Sequence, residues 1–141
     1  MSDTLKLTYK IDGENFSSAG EASANVKKTL RQLGFDTEII RRVSIAMYEG
    51  EINMVIHADG GVAEVTVNPQ KIEILLCDSG PGIADVNLAM QEGYSTAPDD
   101  IHALGFGAGM GLPNMKKYTD EMKIESTVGV GTKVYMVVNV N

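Results

Sequence analysis

A single cysteine, Cys77, is all the thiol chemistry this chain of 141 residues holds. An internal disulfide and a thiolate zinc site built from this chain alone are therefore ruled out, and a reducing cytoplasm is the expected compartment. No apolar run approaches the ~20 residues of a membrane span, and the opening stretch MSDTLKLTYK lacks the signal-peptide layout of charge, apolar core and small residues, so no membrane role is expected. Cations are scarce as well. Twelve Lys and Arg against nineteen Asp and Glu leave a formal charge of −7. That balance argues against direct binding to nucleic acid, which needs clustered Lys and Arg to displace phosphate counterions. The deficit is sharpest between Lys71 and Lys116, where no Lys or Arg occurs while Glu73, Asp78, Asp85, Glu92, Asp99 and Asp100 do. Any anion held there must be held by something other than side-chain cations.

What remains, 43% hydrophobic and 22% charged residues, suits one ordinary globular domain over residues 1–141, able to bury roughly two thirds of its unfolded surface. Thr4–Ile11 alternates Leu5, Leu7, Tyr9 and Ile11 with polar residues, the pattern of an outer strand with one wet face. Glu21–Leu33 carries Ala22, Val26, Leu30 and Leu33 at helical spacing, with Ser17 or Ser18 as cap and Gly34 as terminator. Asp36 opens a longer helix through about Ala58, with Ile39, Ile40, Val43, Ala46, Met47, Met54 and Val55 as its apolar stripe. Val62–Asn68 and Ile72–Cys77 then flank NPQ as a hairpin, the second strand being apolar enough to cross the middle of a sheet. Asp85–Gln91 reads as a short helix and Gly93–Gly111 as a long loop, of the length that usually serves as a lid or binding element. A helix from about Leu112 to Asp120, with Pro113 in its first turn, and strands Met122–Val128 and Thr132–Val140 close the chain. The sum is an α/β two-layer sandwich with a mixed, mostly antiparallel sheet and helices on one face.

Three stretches carry residues suited to chemistry. ALGFGAGMGLPNMKK places Gly105, Gly107, Gly109 and Gly111 directly before a helix start. Unpaired N–H groups and the positive dipole end make that a cradle for phosphate, and glycines let the anion reach the backbone. Turns would use the same glycines, and neither a Walker A motif nor the spacing of a dinucleotide fold is present. A triphosphate bound in so acidic a stretch requires a divalent metal and backbone amides for neutralisation. In MYEGEINMVIHA, Glu49, Asn53 and His57 lie four apart on one helical face while Glu51 points roughly opposite. An amide oxygen ligates Mg²⁺ and a carboxylate one turn away takes a proton, although a solvated polar stripe presents the same pattern. Gly50 costs that helix ~1 kcal/mol relative to Ala, which implies a close approach there. In LLCDSGPGI, Asp78 ends an apolar strand and is followed by Gly80 and Gly82, placing a carboxylate where it can accept a hydrogen bond from an exocyclic amine; a turn is rich in the same residues.

In order and spacing, E-x-x-x-N, D-x-G-x-G, the Gly-rich run opening a helix and Gly131-Thr132 in a strand resemble the ATP-binding fold of gyrase, histidine kinases and MutL, the GHKL superfamily with its Bergerat ATP site. Within it the chain looks most like the small anti-sigma-factor serine/threonine kinases, through YEGEINMVIHA, CDSGPGI, EGYST, GFGAGMGLPNMKKYTDEM and GVGTKV, together covering roughly residues 15–140. GLPNMKK looks closer to the stressosome switch-kinase branch than to the sigma-holding branch.

The resemblance implies ATP and Mg²⁺ as cofactors, with Asn53 as metal ligand and Glu49 as general base. It implies that Asp78 receives the adenine amino group beside Gly80, that Gly82 lines the ring, and that Thr132 supports Asp78. The backbone of Gly107, Gly109, Met110, Gly111 and Leu112 then wraps the phosphates. The function so implied is an ATP-dependent protein serine/threonine kinase acting on a STAS-domain antagonist protein, with a sigma factor as a further partner. The alternative is an ATP-gated protein-binding module with little or no phosphoryl transfer; a relative that binds no nucleotide is the blandest option. Relatives tend to pair through the first helix and outer strand, which here carry no apolar excess, so a homodimer rests on the resemblance alone. No basic residue lies in the loop to meet a γ-phosphate, which leaves Arg42, two turns before Glu49, as the substitute cation; His57 is expected to pack or end its helix rather than catalyse.

Overall fold

The computed structural model describes residues 4–12, 20–58, 60–78, 111–127 and 129–140. The helix expected over Asp85–Gln91, nearly all of the Gly93–Gly111 loop and the candidate residues Gly80, Gly82, Gly107, Gly109 and Met110 lie outside that set. In chain order the elements are β1 (Leu5–Asp12), α1 (Glu21–Gln32), α2 (Thr37–Ala58), β2 (Gly60–Val67), β3 (Lys71–Asp78), α3 (Gly111–Lys117), β4 (Glu121–Thr127) and β5 (Gly131–Asn139).

The strands form one sheet in the order β1-β2-β3-β5-β4, and all four described pairings are antiparallel. The sheet thus stands at the antiparallel end of what the alternation led one to expect. β1 is an edge strand and β3 runs through the centre, as their hydropathy requires: Ile72, Ile74 and Leu76 are buried at every second position. Asn68 fixes the β2–β3 turn, its side-chain oxygen accepting the N–H groups of Gln70 and Lys71 at 2.9 Å each.

One core fills the space between helices and sheet. All seven residues of the anticipated α2 stripe are buried and meet Val26 and Leu30 of α1, Ala63 and Val65 of β2, and Val134, Met136 and Val138 of β5. Leu33 departs from the expected α1 stripe, with 53% of its surface exposed. It is the C-cap residue, and Gly34, at φ 83°, turns the chain away before the stripe continues. α3 ends at Lys117 rather than near Asp120, whose carboxylate instead accepts the N–H of Asn139 at 2.7 Å.

Two residues of α2 decide how the helices sit. A Cβ on Gly50 would lie 2.1 Å from Leu76 Cδ1 and 3.4 Å from Met115 Cε, so the glycine lets α2 press onto β3 and α3 together. The close approach expected at Gly50 is therefore that of the protein's own core. Glu51, 1% exposed, accepts hydrogen bonds from the N–H groups of Gly20 (2.9 Å), Ala22 (3.3 Å) and Ser23 (2.6 Å). A carboxylate from α2 thus caps the first turn of α1, where unpaired amides and the dipole favour negative charge. Ser17 and Ser18, the caps expected from the sequence, lie outside the described residues, and Gly20 at the N-cap position offers no side chain to do the work.

Removing this carboxylate leaves buried amides unpaired. Glu51→Ala is expected to lower stability by about 3 kcal/mol and Glu51→Gln by less, because an amide oxygen still accepts; urea unfolding of the two variants measures the difference.

Candidate functional site

Glu49 lies on α2 between Tyr48 and Gly50, half-buried, and its two sides meet different surroundings. Toward α3, the Asn114 side-chain amide donates to Glu49 Oε1 at 3.4 Å. Toward α1, Glu49 borders an open cleft of about 390 Å³, lined also by Gly20, Ser23, Ala24, Lys27, Ser44, Ile45 and Tyr48. Burial holds the Glu49 carboxyl above its ordinary value, and the Asn114 donor pulls weakly the other way. A carboxyl with raised proton affinity that is reachable from a cleft is suited to accepting a proton.

Asn53 follows one turn later, also half-buried and neighboured by Met54. The far end of α2 reaches the end of β3. A Cβ on Gly61 would lie 2.6 Å from Met54 Cε, 2.2 Å from the Cys77 carbonyl oxygen and 3.0 Å from Asp78 Cα. Glycine at that position lets helix and strand end meet. The side chain of His57 lies outside the described residues.

Asp78 terminates β3 opposite Thr132, the second residue of β5, and the Thr132 N–H donates to Asp78 Oδ1 at 3.1 Å. Thr132 is buried, and its hydroxyl meets the Ser126 hydroxyl at 2.9 Å. The strand pairing therefore fixes the Asp78 carboxylate through β5 and, behind it, β4. The contact between Thr132 and Asp78 runs through the Thr132 backbone amide, while the Thr132 hydroxyl faces Ser126. Leu112, near the start of α3, is buried against the core, and Gly111 opens that helix.

Arg42, the expected substitute cation, is engaged within the protein. Its Nε donates to the Tyr118 carbonyl at 3.1 Å and its Nη2 pairs with Asp120 Oδ2 at 3.1 Å, tying α2 to the turn between α3 and β4. A guanidinium has the right planar fork for a carbonyl and a carboxylate at once, and both partners lie here at the far end of α3.

Among the described residues, no three His, Cys, Asp or Glu gather to hold a metal. The donor chemistry is compatible with Mg²⁺ nonetheless, because that ion keeps waters and phosphate oxygens and asks the protein for few oxygen ligands, and the Asn53 side-chain amide carries one such oxygen. Two participants escaped sequence reasoning. Glu51 had a signal, a carboxylate set among the apolar positions of α2; Asn114 had none beyond its place in the helix that follows the glycines.

Comparison with known proteins gives a consistent picture. Residues 15–138 match the model of the Histidine kinase-like ATPase domain. The serine/threonine-protein kinase RsbT of Bacillus subtilis is 32% identical over 121 residues, 83% of each chain. The anti-sigma F factor of Caldanaerobacter subterraneus subsp. tengcongensis is 34% identical over 137 residues, 94% of this chain and 89% of the relative. Among solved structures, that of the RsbU and RsbW domains of Rv1364c from Mycobacterium tuberculosis aligns with a TM-score of 0.64 at 16% identity. The alignment takes in 95% of this chain and 32% of that one, a likeness of fold.

The raised Glu49 carboxyl has a consequence for stability. A native pKa above the unfolded one favours the protonated folded state: the contribution is fully present below the unfolded value and is lost as pH rises through the native one. Glu49→Gln is therefore expected to gain on the parent protein as pH rises from 4 to 8, and melting curves across that range measure the gain.

Proposed function

Since the chain belongs to the histidine kinase-like ATPase family, we propose that it is an ATP-dependent protein serine/threonine kinase of the anti-sigma regulatory type, acting on a STAS-domain antagonist protein. The observation that carries this is Glu49: a half-buried carboxylate with raised proton affinity, one helical turn from an amide ligand and bordering a cleft open to an acceptor side chain. The relatives, a serine/threonine-protein kinase and anti-sigma F factors, support the same class.

In this proposal Glu49 accepts the proton of the acceptor hydroxyl as that oxygen bonds to the γ-phosphorus and the bond to the departing ADP breaks. Asn53 gives one oxygen ligand to Mg²⁺, which, when bound, supplies the positive charge that the triphosphate needs in so acidic a stretch. Asp78, held by the Thr132 amide, accepts the adenine amino group, with Gly80 and Gly82 leaving room for the ring. The backbone amides of Gly107, Gly109, Met110, Gly111 and Leu112 receive phosphate oxygens. A sigma factor is the second protein partner, the compartment is the cytoplasm, and two copies pair as a homodimer.

One observation favours a slower reaction than in kinases with a dedicated cation. Arg42 is engaged with Tyr118 and Asp120, so charge on the transferred group is left to Mg²⁺ and main-chain amides. An ATP-gated binding module is the limit of that tendency.

Glu49→Ala is expected to lower phosphoserine formation on a STAS partner by ~10²–10⁴-fold while ATP binding survives. Mg-ATP at ~100 times its Kd adds about 2.7 kcal/mol to the stability of both parent and variant, and Asn53→Ala loses the part that depends on Mg²⁺. Phosphoserine detection and melting with and without Mg²⁺ read these effects. Partner binding that follows nucleotide state without any phosphoserine identifies a gated module; a melt unshifted by Mg-ATP removes both.

A further inference from the structure

Glu49 is held by a residue that its own helix does not provide. We propose that Asn114 is the positioning residue of this carboxylate: its side-chain amide orients Glu49 from α3 and so couples the base on α2 to the placement of α3. The proposal rests on Glu49 being the general base.

The contact is made by Asn114 Nδ2 and Glu49 Oε1 at 3.4 Å, between residues 65 apart in sequence. Both carriers are well anchored. Met115, next to Asn114, is fully buried and reaches the space beside Gly50, the residue next to Glu49; Leu112, one turn earlier on the same face of α3, is buried in the same core. The two polar side chains therefore meet across a packed seam, and a shift of α3 relative to α2 would carry the donor with it. The choice of side chain matters chemically. A Lys or Arg at position 114 would hold the carboxylate as an ion pair and strip it of basicity, whereas a neutral amide orients one oxygen and leaves the other to take a proton. Glu49 Oε2 has no partner among the described residues. Burial raises proton affinity here and the amide only moderates it, as an orienting donor should.

Other groups near Glu49 do not duplicate this role. Lys27 of α1 and Tyr48 of α2 share the cleft without a hydrogen bond to the carboxylate among the described contacts. The remaining charges of α3, Lys116 and Lys117, stand in its last turn, where Lys117 lies 5.4 Å from the Tyr118 ring centroid. Glu51, two residues on, is turned into the core and spent on α1.

Phosphoryl transfer to a STAS protein and the carboxyl NMR titration of Glu49 in nucleotide-free protein, measured on the same variants, test the proposal. Asn114→Ala and Asn114→Asp are expected to lower kcat about tenfold with the ATP KM within about twofold, and Asn114→Gln, which keeps the donor, to restore most of it. Because Asn114 acts through Glu49, adding Asn114→Ala to Glu49→Gln costs nothing further. The Glu49 titration moves upward in Asn114→Ala. A loss of equal size in the Glu49→Gln background, an effect on KM alone, or an unmoved titration overturns the proposal. If the parent protein transfers no phosphoryl group, the kinase assignment fails while the titration still decides whether Asn114 governs Glu49.

Discussion

Helix α2 lies so close to the sheet that Leu76 occupies the space where any residue but glycine at position 50 would carry its Cβ. That contact sets the depth of the helix, and the depth sets everything α2 carries. With Gly50 pressed on β3, Glu49 is drawn half out of water beside α3, Glu51 is driven wholly into the core, and the far end of the helix reaches the end of β3 at Asp78. A Cβ at position 50 would require Leu76 to swing its side chain aside for the helix to keep this depth. Helix propensity alone disfavours glycine in a helix interior by ~1 kcal/mol, and here that local cost is the condition for close packing.

Two carboxylates two residues apart acquire opposite duties because their surroundings differ. Glu51 meets three backbone amides at the start of α1, donors that favour its charge, and it becomes a structural cap binding two helices together. Glu49 meets one weak neutral donor, a half-buried wall and a cleft, so its charge is less well served and its affinity for a proton rises. The same α2 backbone therefore delivers a rigid join through one carboxylate and a carboxyl of raised proton affinity through the other. The ion pair of Arg42 with Asp120 belongs to the first duty, fixing α2 to the turn after α3.

The stretch between Lys71 and Lys116 holds no Lys or Arg, and Arg42 is committed to Tyr118 and Asp120. In the proposed function, main-chain amides and Mg²⁺ replace side-chain cations, and the carboxylate at Asp78 reads the base. A site of this kind depends on geometry more than on charge, because amides and single oxygen ligands act only at hydrogen-bonding distance. The β3–β5 register, which sets Thr132 opposite Asp78, and the α2–α3 seam, which sets Asn114 opposite Glu49, are the two geometric devices visible in the described residues.

Much of this was legible in the sequence because periodicity is a local property. The seven-residue stripe of α2, the edge position of β1 and the central position of β3 follow from which residues repeat every third or fourth, or every second, place. The order of short motifs led to the family, and with it to Glu49, Asn53, Asp78 and Thr132. The sequence could not say what presses against Gly50, which carboxylate caps α1, where Arg42 spends its charge or that Asn114 faces Glu49. Each of those is a meeting of residues far apart in the chain, up to 76 positions for Arg42 and Tyr118. By itself the sequence determined the elements, their buried faces and the residue types available for chemistry; only the tertiary structure decided which of them meet, because packing distance between elements is set by the whole core and is written in no single segment.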